Sequence, residues 1–110
     1  MTVGDEKIVS IVRGLTSLDP DVREETSEMI CDWLRSYDRR EVRLLSALLS
    51  SLVVLESESD CRESELNTLG GLTETGFIEA EDLAPLKQIR RDTLERGDVE
   101  HFDYLAEEYF

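Results

Sequence analysis

Apolar side chains recur every three or four positions along most of the chain, which is the spacing of one face of an α-helix. Residues 6–17 show this spacing first, and residues 20–36 show it again with Val22, Ile30 and Leu34. The β-branched residues do not alternate with polar ones along any stretch, as they would in a half-buried strand. The pattern therefore predicts an all-α protein.

Polar and helix-breaking residues divide this pattern into five to six helices. Asp19 followed by Pro20 is typical of a helix start, because the Asp side chain accepts a hydrogen bond from a free backbone N–H and Pro has no N–H to leave unpaired. Asp38 and Asp98 are expected to cap later helices in the same way. The predicted helices cover about residues 6–17, 20–36, 39–55, 59–75, 79–91 and 98–109.

Three side chains inside these helices lead to predictions about packing and helix bounds. Trp33 lies on an apolar face and is expected in the core, and Cys61 is expected there as a small apolar side chain. Pro85 is tolerated in the fifth helix only if that helix begins near Asp82, because proline is accepted in the first turn and breaks a helix further along.

An internal repeat with a period of 39 residues organises the chain. Residues 21–24, Asp-Val-Arg-Glu, recur as residues 60–63, Asp-Cys-Arg-Glu, and residues 98–100 form a partial third copy. Each copy follows an apolar helix, so the repeating unit is a hairpin of two helices that must stack on its neighbours to bury its apolar faces. Arg23 and Arg62 are expected to bond acids or carbonyls at the corner of the adjacent unit.

The period and the motif resemble the HEAT-repeat family. The second copy lacks the proline of the first, and the third has Glu100 in place of the arginine. The resemblance implies a short α-α superhelix of about three hairpins, the last a degenerate cap, within a single domain of residues 1–110. The residues that carry it are 19–23, 60–63, Leu66 and Leu69.

Acidic residues outnumber basic ones by 26 to 12 among 110 residues, which gives a formal net charge of −14. The excess is concentrated in residues 56–110, which carry sixteen acidic and five basic side chains. Such a surface repels the phosphates of nucleic acids and anionic lipid headgroups and attracts basic proteins. We therefore expect a basic protein partner and neither a nucleic acid nor a membrane. The alternative is that the acidic residues only keep the chain soluble.

The sequence offers little for catalysis. The single histidine, His101, lies in the last predicted helix, where packing or surface roles are commoner than that of a general base. The chain has no glycine-rich phosphate loop, no Cys/His spacing typical of zinc and no calcium loop. We expect no enzymatic activity, no metal and no cofactor.

The first residues lack the basic and apolar regions of a signal peptide. The longest apolar run, residues 52–55, is far shorter than the roughly 20 residues that span a bilayer. These features favour a cytoplasmic protein, in which Cys31 and Cys61 stay reduced, and which we expect to be monomeric when free.

In stacked helical hairpins the second helix of each hairpin lines the concave face, and we expect the partner to bind there. The repeat places Asp21, Asp60 and Asp98 in one negative band. Tyr104 is expected to be an exposed aromatic anchor, because tyrosine is enriched at binding hot spots. The predicted partner-binding residues are Glu25, Glu28, Asp32, Glu63, Asn67, Glu74, Asp103, Tyr104 and Glu107.

The C-terminal helix, residues 98–110, combines acidic and aromatic side chains. Short acidic HEAT-like proteins with such a helix resemble the immunity proteins of bacterial polymorphic toxin systems. The resemblance implies an inhibitor whose acidic face occupies the basic active site of a toxin, a nuclease being one candidate. Two other functions fit the same residues: a HEAT-type adaptor or scaffold that binds a peptide or enzyme subunit, and a DNA mimic that occupies a DNA-binding protein.

Overall fold

A computed structural model describes residues 2–110, and within this range the chain is all-α, as predicted, without a strand. Five α-helices are joined by short loops and by three 3₁₀ segments. The α-helices are α1 (Asp5–Leu15), α2 (Pro20–Ile30), α3 (Arg39–Leu55), α4 (Ser59–Thr73) and α5 (Arg96–Tyr109), and the 3₁₀ segments are Cys31–Ser36, Ala80–Gln88 and Arg91–Thr93.

Helices α2, α4 and α5 lie side by side, in that order, along one side of the molecule. α1 packs on α2, and α3 packs on α4 and on the Ala80–Gln88 segment. One core lies between them, and every α-helix contributes fully buried apolar side chains to it, among them Leu15, Ile30, Leu45, Leu69 and Leu105. This is the predicted arrangement of helical hairpins.

Two of the predicted helix starts are confirmed. Asp19 accepts a hydrogen bond from the backbone N–H of Asp21 at 3.0 Å, with Pro20 at the first helical position. Asp38 accepts one from the backbone N–H of Glu41 at 2.7 Å, and the Glu41 carboxylate in turn accepts from the N–H of Asp38 at 2.9 Å. Both arrangements satisfy N–H groups that a helix start leaves free.

The prediction that Asp98 caps the last helix is wrong. α5 begins two residues earlier, at Arg96, and Asp98 lies buried in its first turn. The Asp98 carboxylate accepts a hydrogen bond from Nε of Arg62 at 2.8 Å. Tertiary pairing with α4 therefore determines its position, and not the local capping geometry.

The second predicted helix is shorter than expected. α2 ends at Ile30, and the chain continues as the 3₁₀ segment Cys31–Ser36, inside which Trp33 leaves the helical region (φ −122°, ψ 18°). This break turns Trp33 outward, so that 43% of it is exposed and the Lys7 ammonium lies 4.9 Å from its ring centre. The prediction of a buried Trp33 is therefore wrong, whereas that of a buried Cys61 is confirmed.

The first arm of the third hairpin is not the α-helix that was expected over residues 79–91. Pro85 lies in the middle of the Ala80–Gln88 segment, where its missing N–H and its ring are incompatible with α-helical hydrogen bonding. A 3₁₀ segment tolerates it, and Leu83 and Leu86, three residues apart, are buried with its period of three residues per turn.

Repeated arginines join each hairpin to the next, as predicted. Arg23 of α2 donates from Nε and one terminal nitrogen to the two carboxylate oxygens of Glu56, at 2.9 and 2.8 Å, and from the other nitrogen to the carbonyl of Ser17 at 2.9 Å. Arg62 of α4 makes the corresponding bond to Asp98 of α5. These pairs fix the lateral order of α2, α4 and α5.

Among residues 2–110, no helix has both the length and the apolar character that crossing a membrane requires.

Candidate protein-binding groove

An open groove of about 410 Å³ runs across α2, α4 and the start of α5. Four of its lining side chains are carboxylates, and the others are Ser64, Asn67 and His101. We call this feature the acidic groove. Its carboxylates are those of Glu24 and Glu28 on α2 and of Asp60 and Glu63 on α4.

The close approach of α2 and α4 brings these carboxylates together. Buried Thr68 of α4 donates to the carbonyl of Ser27 at 2.8 Å, and the Cys61 thiol donates to the carbonyl of Pro20 at 2.9 Å. Small side chains at these positions let the two backbones lie near each other. The Ser64 hydroxyl donates to the Glu28 carboxylate at 3.3 Å across the same boundary.

The fourth carboxylate, that of Glu63, lies beside the first turn of α5. Gly97, in the first turn of that helix, lies so close to Glu63 that a side chain there would begin 3.0 Å from the carboxylate. Glycine therefore lets the start of α5 approach α4, and His101 follows one turn later at the rim of the acidic groove.

Electrostatic repulsion acts inside the acidic groove. The pKa of Glu24 is raised above its ordinary value, first by partial burial and then by the negative charges of Asp60, Glu28 and Asp21. Among residues 2–110 no lysine or arginine forms an ion pair with any of the four carboxylates. The groove thus concentrates negative charge for which the described part of the chain supplies no paired lysine or arginine.

Three of the nine predicted partner-binding residues line the acidic groove: Glu28, Glu63 and Asn67. The pairing of Glu28 with the position 39 residues later is therefore correct in space. Asp32 and Glu74 are exposed near Cys31, where both raise the pKa of its thiol after the larger effect of burial. They lie towards the opposite end of α2 and α4 and do not line the groove.

The remaining predicted residues also lie outside the groove. Glu25 and Glu107 are exposed. Asp103 is engaged by Arg91 through two bonds of 2.8 Å, which lower the pKa of its carboxyl and neutralise its charge. Tyr104 is exposed at 49%, as predicted for an anchor, and its hydroxyl lies 3.4 Å from that of Thr73.

Sequence reasoning missed Glu24, Ser64 and His101 as groove residues, and it placed Asp60 in the negative band without naming it among the partner-binding residues. The repeat contained a usable signal for the first of them, because its 39-residue offset places Glu24 in register with Glu63. The predicted negative band of Asp21, Asp60 and Asp98 is wrong at Asp98, whose carboxylate is buried against Arg62, so that only Asp60 of the three lines the groove.

Within the described residues, no group of three or more His, Cys, Asp or Glu side chains is arranged to hold a metal ion. A comparison with known proteins gave no further guide, because no family model, curated protein or solved structure matches this chain.

Proposed function

We propose that this protein binds a basic partner protein through the acidic groove. The observation that carries the proposal is the set of four facing carboxylates for which the described residues provide no lysine or arginine counter-ion. Partial burial first, and then repulsion by neighbouring carboxylates, raises the pKa of Glu24. This repulsion is present in the free protein. Lysine or arginine side chains of a partner would relieve it, and this relief would contribute to affinity.

The shape of the acidic groove agrees with a protein ligand. It is open along its length and its lining is almost entirely polar, unlike the enclosed apolar pockets that hold small molecules. An exposed basic loop or helix would fit such a groove. The net charge of −14 would also speed encounter with a basic protein, in a manner that weakens as salt rises.

Within this class we favour an immunity-type inhibitor, the function implied by the resemblance to immunity proteins of toxin systems. Enzymes that act on nucleic acids hold phosphates with lysine and arginine, so a cluster of carboxylates can occupy the same cationic site and exclude the substrate. Inhibition of a nuclease toxin would follow from occupancy alone and would need no catalytic residue in this chain.

The test compares three forms of the protein as baits in affinity capture from cells of its own source. The groove variant carries Glu24→Lys, Glu28→Lys and Glu63→Lys. A matched control carries Glu6→Lys, Glu95→Lys and Glu108→Lys, which change the net charge equally at exposed positions outside the groove. We expect wild type and control to retain a basic partner that the groove variant loses, and that about 0.5 M salt releases.

The purified partner then separates the candidate functions. Loss of its nuclease activity at stoichiometric amounts of wild-type protein supports the immunity function, whereas unchanged activity would contradict inhibition. A partner without enzymatic activity that duplex DNA displaces favours a DNA mimic. A partner that resists salt and binds all three baits alike favours the adaptor and would overturn the role of the acidic groove.

A further inference from the structure

A second cluster of charged groups lies beneath the acidic groove, where α2, α4 and the linker after α3 meet. Glu65 of α4 is completely buried there. No backbone or side-chain donor of the described residues bonds either of its carboxyl oxygens. The polar group beside it is the carboxyl of Glu56, which already accepts two hydrogen bonds from Arg23.

The charges around Glu65 balance without it. Arg23 of α2 pairs with Glu56 of the linker, and Arg62 of α4 pairs with Asp98 of α5. Cys61 of the same helix is a further titratable neighbour, and its pKa of about 11 keeps the thiol neutral. At the C-terminal end of α3, which leads into the linker with Glu56, the buried side chains are uncharged. An ionised Glu65 would therefore be a buried negative charge without a counter-ion, which is costly in a protein interior.

We propose that this corner is a proton-dependent joint: Glu65 is a neutral carboxylic acid whose O–H donates a hydrogen bond to the Glu56 carboxylate, and loss of the Glu65 proton weakens the contact between the first and second hairpins. Two carboxyl groups can share a hydrogen bond only if one of them carries a proton. Glu56 is the ionised member, because Arg23 holds it on the other side.

The two pKa values agree with this assignment. Burial raises the pKa of Glu65 to about 9, with a further contribution from Glu56, and the neighbouring arginines only partly oppose it. Burial also acts to raise the pKa of Glu56, but its hydrogen bonds with Arg23, Glu65 and the N–H of Glu58 outweigh that effect and lower it. Glu65 is thus protonated and Glu56 ionised at neutral pH.

The consequence is a stability that falls as pH rises. From its ordinary pKa of 4.5 up to about 9, Glu65 keeps its proton in the folded chain and loses it in the unfolded chain. The folded state binds one proton more in this window, so the unfolding equilibrium constant should rise tenfold for each pH unit. Above about pH 9 Glu65 has lost its proton in both the folded and the unfolded state, so this pH dependence ends.

Carboxyl ¹³C NMR of the wild-type protein between pH 4 and 10 tests the protonation directly. We expect one glutamate resonance with a midpoint near 9, and its absence from Glu65→Gln identifies it. Exposed carboxyl groups should titrate several units lower. A Glu65 resonance that titrates together with them would overturn the proposal.

Urea unfolding of wild type, Glu65→Gln and Glu65→Leu between pH 5 and 8.5 tests the joint. Neither variant has a titratable group at position 65. The ratio of the wild-type unfolding constant to that of each variant should therefore grow tenfold per pH unit. Glu63→Gln, which removes an exposed charge from the same helix, should keep the wild-type slope. Equal slopes for wild type and Glu65→Gln would contradict the proton-dependent joint even if either variant were destabilised throughout.

Discussion

The buried corner around Glu65 and the acidic groove both contain carboxylates of α2, α4 or the segments next to them. The two regions differ in whether these carboxylates are paired with arginine. In the corner, each ionised carboxylate has an arginine, as in the pairs of Arg23 with Glu56 and Arg62 with Asp98. In the groove, Glu24 and Glu63 follow those arginines directly in the sequence, yet neither forms an ion pair with a lysine or arginine among residues 2–110. One side of α2 and α4 therefore holds the hairpins together, and the other side leaves charge available to a partner.

Burial explains the difference. A carboxylate removed from water needs a partner or a proton, whereas one at the surface is stabilised by water and salt at little cost. The side chains of Glu56 and Asp98 are 3% and 2% exposed, and each is paired. Unpaired negative charge is tolerated only where solvent reaches it, and this is also where a basic protein could reach it.

The largest expected effect comes from breaking a corner pair. Arg62→Met leaves the buried Asp98 carboxylate without its arginine, and we expect a loss of about 3 kcal/mol in the free energy of unfolding, measured by urea denaturation. Arg40→Met removes the exposed pair with Asp5 and should leave the urea midpoint unchanged. Equal losses in the two variants would show that burial does not distinguish the corner from the surface.

A smaller effect of opposite sign is expected in the groove. Glu28→Gln combined with Asp60→Asn reduces repulsion among the four carboxylates and should raise the urea midpoint at low salt, by less than the corner variant lowers it. The gain should shrink as salt rises, because these groups are exposed to screening. Glu6→Gln combined with Glu108→Gln, at exposed positions elsewhere, is the control. A groove variant no more stable than this control would mean that the carboxylates do not repel one another.

The smallest effect concerns one carboxyl group. Asp60→Asn should lower the pKa of Glu24, because Asp60 is the strongest of the charges that raise it. The pKa should stay above its ordinary value, since partial burial contributes more than any charge. Side-chain ¹³C titration measures the shift, and Glu108→Gln should leave it unaltered. An unchanged pKa in Asp60→Asn would place Asp60 too far from Glu24 to act on it.

The sequence predicted local features well where neighbouring residues decide them. Helices begin at Pro20 and Arg39 because the carboxylate of the preceding aspartate accepts a hydrogen bond from a backbone N–H two or three residues further along the chain. The residues that line the groove were harder to predict. Glu25 was chosen although Glu24 lines the groove, because a helix exposes a broad face and only the packed neighbour defines which part of it is concave.

Sequence alone determined the all-α class, the stacking of repeated hairpins through Arg23 and Arg62, and the strong negative charge. Apolar spacing, repeat period and composition carry this information without reference to distant residues. Only the tertiary structure decided whether each acidic side chain is buried and paired with arginine or lies at the open surface. Asp60 and Asp98 occupy equivalent repeat positions, yet Asp60 lines the open groove and Asp98 is buried against an arginine. Ionic pairing depends on what the fold brings within a few ångströms and on how much water it leaves there.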